Sequence, residues 1–240
     1  MVPSSQDLGG VQMILSKQDY KLYVTSDLAA HYQTRYRWVF KFSQPLIHFQ
    51  MTLRKAEYYE NCRKDSLGRI YLVLLKLKLM RLSTKLGFTI PRHVFGPGLS
   101  IAHWGSIVVH PNVRVGKNCR IHSAVNIGVF NGECPIIGDN VYIAPGAKLF
   151  GGITIGDNVT IGANAVVNKN VPSNVTVGGI PAKIISQKDS TGLIVKAYEK
   201  SFHLARDQGM ETAFPKNRLD LSRIIITIQI KSKSKYQKLV

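Results

Sequence analysis

The sequence predicts a parallel β-helix preceded by a short helical region, and three observations carry that reading. From Val109 to Val167 an aliphatic residue recurs every six positions with one four-residue insertion: Val109, Val115, Ile121 and Ile127, then Ile137, Ile143, Leu149, Ile155, Ile161 and Val167. Several of these are followed directly by a small residue, as in Val115-Gly116, Ile127-Gly128, Ile137-Gly138, Ile155-Gly156 and Ile161-Gly162. A second aliphatic or small row stands four places after the first, at Val113, Cys119, Val125, Val141, Ala147, Ile153, Val159, Ala165 and Val171. Two rows locked to a period of six fit neither a helix nor an alternating strand. Each six-residue face buries one side chain in a narrow prism, and the small neighbour is expected to let the chain turn its corner tightly. Three faces close one coil of about 18 residues, and stacked coils share a core.

The elements follow in order. Residues 1–12 read as an extension, and residues 13–89 as an α-helical N-terminal domain. Ser16 or Ser26 is placed to cap a helix, Pro45 to start one running to about Cys62, and Ser66 to start another. In the last, Leu72, Leu75, Leu79, Leu82 and Leu86 share a face while Lys78, Arg81 and Lys85 share another, and Gly87 stops it. Packing of the apolar face with a solvated basic edge is the favoured reading, with weak membrane-surface association as the rival. Coils occupy residues 90–185. Residues 186–240 are expected to hold a helix over residues 193–205 and a basic tail, in which residues 224–230 form an apolar run followed by lysines.

Composition narrows the function classes. The net charge is +18, but the excess is +8 over residues 1–89, +4 over 90–185 and +6 over 186–240, so the coils carry least of it. No segment interleaves basic and stacking aromatic residues, and nucleic acid is not expected as a partner. Cys62, Cys119 and Cys134 form no C-x-x-C pair and are odd in number, which suits a reducing, cytoplasmic setting rather than a disulfide framework. Residues 1–10 lack a basic segment followed by an apolar one, so no signal peptide is expected. Residues 70–86 carry Lys76, Lys78, Arg81 and Lys85, which argues against a spanning helix.

The repeat misfits at Gly98-Leu99-Ser100-Ile101-Ala102-His103-Trp104-Gly105-Ser106-Ile107-Val108-Val109, where His103 stands six before Val109 in a place the pattern reserves for an aliphatic side chain. A titratable group that breaks a local rule marks a candidate site. This segment, together with Gly179-Ile180-Pro181-Ala182-Lys183-Ile184-Ile185, resembles serine O-acetyltransferases of the left-handed β-helix, hexapeptide class over residues 88–185. The likeness is nearest to the type associated with bacterial surface polysaccharide synthesis. It implies a left-handed all-β parallel helix, a homotrimer, and direct acetyl transfer from acetyl-CoA to an acceptor hydroxyl, with His103 as general base. It also implies that CoA lies in a groove between adjacent prisms. Lys183 and Lys169, with Lys148 a lesser candidate, would meet its phosphates, and Gly162-Ala163 and Pro145-Gly146 would lie against pantetheine. Backbone N–H groups at the bend after Gly128 would serve the oxyanion.

Departures from the family pattern bear on the acceptor. The acidic residue before the family's histidine is Ala102 here, and a second acidic position falls on Phe88. The family's second histidine falls on Cys134 and its preceding arginine on Glu133. L-serine is supported by the overall resemblance. A sugar hydroxyl is supported by the lost polar groups and by Trp104, which offers a flat wall to a sugar ring. Two other readings stand beside the acetyltransferase: a non-catalytic or membrane-associated scaffold, and a zinc-dependent hydratase using His103, His110 and His122. The spacing of those three histidines does not stack them, and no metal is expected.

Overall fold

The structure is a computed structural model and describes residues 13–207. The predicted extension over residues 1–12 and the apolar run over residues 224–230 lie outside the described residues.

Helix α1 (Lys17–Ala30) is capped by Ser16, whose Oγ accepts the Asp19 N–H at 3.0 Å; Ser26 caps nothing and is buried within the helix. A single turn, α2 (Phe40–Ser43), precedes α3 (Pro45–Cys62), where proline occupies the first turn and its missing N–H costs no hydrogen bond. Asp65 caps α4 (Ser66–Leu86) by accepting the Gly68 N–H, and Gly87 ends it in the left-handed region at φ 77°. Leu75, Leu79 and Leu86 are buried, with Leu72 and Leu82 packed beside them, so the predicted apolar face does meet the core.

The chain then winds into a left-handed parallel β-solenoid of about five turns. Sheet A stacks β1 (Phe88–Thr89), β3 (Ile107–Val109), β6 (Asn126–Gly128), β9 (Lys148–Phe150) and β12 (Val166–Val167). Sheet B stacks β4 (Arg114–Val115), β7 (Ile136–Ile137) and β10 (Thr154–Ile155). Sheet C stacks β2 (Ser100–Ile101), β5 (Arg120–Ile121), β8 (Tyr142–Ile143), β11 (Thr160–Ile161) and β13 (Thr176–Gly178), with β14 (Lys183–Ser186) returning antiparallel along β13. Register puts the repeat residues in columns: Val109 over Ile127, Leu149 and Val167; Val115 over Ile137 and Ile155; Ile121 over Ile143, Ile161 and Val177. Both predicted aliphatic rows are buried, and they form one continuous core with Phe49 and Leu53 of α3. The four-residue insertion leaves the prism between β6 and β7 as a tight turn, with Phe130 and Glu133 exchanging backbone hydrogen bonds across Asn131 and Gly132.

The glycines that follow the sheet B repeat residues serve a purpose other than the one expected of them. Gly116 and Gly138 have ordinary φ, but a Cβ at Gly138 would stand 2.8 Å from the Gly156 carbonyl of the next coil, so what they permit is close stacking. Positive φ is carried two residues on by Asn118, Asn140 and Asn158, and in the last coil, where Pro172 replaces the glycine, by Asn174. Their side chains form a ladder down the edge between sheets B and C, each amide donating to the next at 2.8–2.9 Å. Helix α5 (Ala197–Asp207) covers the start of this ladder. The Tyr198 N–H donates to Asn118 Oδ1, and Asn118 Nδ2 donates to Glu199. The helix begins at Ala197 rather than at the expected Leu193. The Ala197 N–H donates to the Val195 carbonyl at 2.7 Å, a three-residue turn that an α-helix cannot contain.

Candidate active site

His103 occupies the corner after β2, where the chain leaves sheet C for sheet A, and is exposed. Two sets of contacts fix the backbone that carries it. Upstream, the buried Asp27 of α1 accepts the N–H groups of Gly98 and Leu99, both at 2.9 Å, while Gln50 of α3 donates to the Leu99 carbonyl at 2.7 Å. Arg54 of α3, fully buried, pairs with Asp27 at 2.8 Å and donates to the Phe95 and Gly96 carbonyls at 2.8 and 2.7 Å. Burial raises the Asp27 carboxyl above its ordinary value, opposed by the Arg54 charge. Downstream, Gly105 donates to the Leu86 carbonyl at the end of α4 and Ile107 donates to that of Gly87, so α4 and the histidine turn are tied together. Gly105 adopts φ 125°, open to glycine. The helices therefore act as a clamp on the segment that presents the imidazole.

Three rings line this corner on successive coils. The His103 ring is 5.9 Å from that of His122, which is 5.1 Å from that of Tyr142. His122 Nε2 is buried with no hydrogen-bond partner among the described residues, and burial, then Arg120 and His103, lowers its pKa below the ordinary histidine value. A neutral His122 under His103 is the polar neighbour that the missing acidic residues leave in place. Its spacing of about one coil from His103 is the sequence signal for this pairing.

The predicted site residues divide between two edges of the prism. His103 and Trp104, 65% exposed, share the edge between sheets C and A with Pro145-Gly146 and Gly162-Ala163 of later coils. At the far end of that edge the chain leaves the prism through residues 179–182 into β14, which begins at Lys183, an exposed residue. Gly128, Glu133, Cys134 and Lys169 stand instead on the edge between sheets A and B. Lys148, in β9 between the two, donates to the Ala124 carbonyl. Sheet A separates the two groups within one copy of the chain.

Cys134 meets His110 on this second edge, Sγ to Nδ1 3.2 Å. The Asn112 N–H also donates to that nitrogen at 3.2 Å, so Nδ1 is the acceptor and the thiol the donor. Burial raises the thiol pKa, against the pull of Arg114. Phe88, at the family's upstream acidic position, is a core residue in edge-on contact with Phe49, ring centres 5.2 Å apart. Glu133 stands in the insertion turn of the second edge, while Glu57 and Glu60 of α3 bond the His93 N–H and the side chains of Arg92 and His93 at its first coil. The three histidines of the zinc reading do not gather, since His110 lies on the other edge from His103 and His122. Among the described residues no cluster of three or more potential ligands could hold a metal ion. A groove of about 710 Å³ between sheet C and residues 186–193 contains none of the predicted site residues.

The stacked coils and their six-residue period define a left-handed β-helix of hexapeptide repeats. The family described as "Bacterial transferase hexapeptide (six repeats)" matches residues 134–169. Within that class the chain is similar to serine acetyltransferases. One from Staphylococcus xylosus is 46% identical over 101 residues, 40% of this chain and 47% of the relative. The crystal structure of the serine acetyltransferase of Brucella abortus strain S19 aligns with a TM-score of 0.55 at 28% identity, covering 73% of this chain and 72% of that one. Its complex with coenzyme A aligns at 0.56 and 26% identity, over 73% and 71%. The chain spans about half the length of the curated relatives from S. xylosus and Buchnera aphidicola.

Proposed function

We propose that the protein is an acetyl-CoA-dependent O-acetyltransferase in which His103 is the general base. The observation that carries this reading is an exposed imidazole at a rigidly clamped corner, in a chain whose relatives are serine acetyltransferases, one of them solved with coenzyme A. The acceptor oxygen attacks the thioester carbonyl carbon while His103 takes its proton. The tetrahedral intermediate collapses, the carbon–sulfur bond breaks, and the imidazolium returns the proton to the CoA thiolate. Backbone N–H groups at the bend after Gly128 stabilise the oxyanion, Gly146 and Gly162 lie along pantetheine, and Lys183 and Lys169 attract the phosphates.

These roles are divided between two edges that sheet A holds apart, which supports a crevice built from the corner of one copy and the insertion edge of another. A homotrimer, as the resemblance implies, supplies three such crevices. L-serine is the first acceptor by kinship. A sugar hydroxyl is the second reading, favoured by one observation: Ala102 and the core residue Phe88 put no carboxylate at the two positions where the resemblance implies acidic groups.

Thiol release from acetyl-CoA, measured with L-serine and with nucleotide sugars as acceptors, tests the class and separates the acceptors. His103→Ala is expected to slow turnover about 10²- to 10⁴-fold. Undiminished turnover in that variant, or no thiol release with any acceptor, overturns the proposal.

A further inference from the structure

Helix α4 is apolar on two opposite faces. One is the leucine face in the core. The other points outward: Ile70, Val73, Leu74, Leu77 and Met80 are 61, 56, 55, 46 and 60% exposed, and no described residue covers them. Their spacing of three and four makes a continuous strip along the helix. Cations border it on both sides. Arg69 and Lys76 lie on one flank, Lys78 and Lys85 on the other, and Arg81 closes the strip at its C-terminal end, with no acidic residue between Ser66 and Leu86. Lys76 is paired with Glu60; the other four are exposed. Next to the second flank, α2 adds Lys41, whose charge is felt at Lys78, together with exposed Trp38 and Phe42 in edge-on contact at 6.4 Å.

We infer that this face of α4, with the α2 turn, docks on an anionic lipid bilayer. An exposed aliphatic strip of this length calls for a partner. The partner's chemistry is set by the border: cations on both sides of an apolar strip, with aromatic rings at one end, match the apolar boundary and negative headgroups of a membrane surface. A second copy of the face would set like charges against like, which disfavours self-association through it. No described helix is long and apolar enough to cross a membrane, so α4 would lie in the interface plane. The inference does not rest on the acetyl-transfer reading.

Co-sedimentation of the full chain with vesicles tests it. The protein is expected to sediment with vesicles of equal parts phosphatidylcholine and phosphatidylglycerol, to release as salt is added, and to bind phosphatidylcholine alone far more weakly. The double variant Ile70→Ser/Leu77→Ser, changed only on the outward face, should fold and unfold like the parent yet partition at least about tenfold less. Lys78→Gln/Arg81→Gln should lose about fivefold per charge. Absence of sedimentation with the anionic vesicles, or unchanged partitioning in either variant, refutes it. So does a larger assembly of the parent than of Ile70→Ser/Leu77→Ser in sedimentation equilibrium, which would give the strip to a second copy.

Discussion

Replacing Arg54 by methionine removes the centre of the clamp behind the candidate base. Every N–H of the guanidinium is used: Nε and Nη2 toward Asp27 at 2.8 and 3.4 Å, Nη1 toward Glu57 and the Phe95 carbonyl at 3.1 and 2.8 Å, and Nη2 toward the Gly96 carbonyl at 2.7 Å. Its side chain is wholly buried, as is that of Asp27, so water cannot take over these roles. Methionine keeps most of the volume but leaves the Asp27 carboxylate without a counter-charge and two carbonyls without donors. Breaking a buried pair from one side costs about 3–5 kcal/mol. For a chain of this size that is a fall in Tm of roughly 10 °C or more. Because Asp27 also holds the N–H groups of Gly98 and Leu99, the segment leading to His103 loosens as well, and kcat should fall further than KM rises. Thermal unfolding followed by circular dichroism reads the first effect and thiol release the second. The pair Asp27→Asn/Arg54→Met, which removes the stranded charge, should recover part of the lost stability. A Tm within about 2 °C of the parent for Arg54→Met alone would show that the buried pair carries no net weight.

Three further outcomes are expected. Gly138→Ala should cost about 2 kcal/mol, because its methyl meets the Gly156 carbonyl of the next coil; Gly128→Ala, with nothing nearer than 3.6 Å, should leave Tm unchanged, and equal effects would refute the stacking argument. His48, inside the helical region and facing Lys78 and Lys41, is lowered to about 4 chiefly by burial. Its folded pKa lies below the unfolded value, so its contribution is intact above the ordinary 6.5 and is lost as pH falls from there toward 4. Tm against pH should be flatter in this window for His48→Gln, and parallel curves would exclude the effect. Cys119, buried in the second repeat row with a thiol pushed up to about 12, should resist alkylation until the chain unfolds, whereas Cys62 and Cys134 label in the native state; mass spectrometry after mild labelling distinguishes them.

The prism was legible because its periodicity is a property of single columns: a residue such as Ile121 or Leu149 reports its own burial, and six-residue spacing fixes its face. The helix boundaries at Pro45, Ser66 and Gly87 were equally local. What the sequence left hidden depends on contacts between distant segments. Nothing about Asp27, Gln50 and Arg54, spread over two helices, announces that they hold the backbone of Gly96, Gly98 and Leu99. The asparagine ladder stands outside the two aliphatic rows, at positions whose pairing depends on how the coils stack. His103 was visible as a misfit in its column, but the division of the other site residues between two edges required the strand order. The outward strip of α4 is masked in the sequence because the leucine face alone already accounts for the helix.

That division has a consequence for how damage to the candidate site would combine. Chains lacking the His103 imidazole keep an intact insertion edge, and chains altered at Glu133 and Cys134 keep an intact imidazole corner. If the crevice is shared between copies as proposed, two such variants co-refolded from a common denatured pool should give more activity than the sum of the two refolded apart, in the proportion in which unlike neighbours meet.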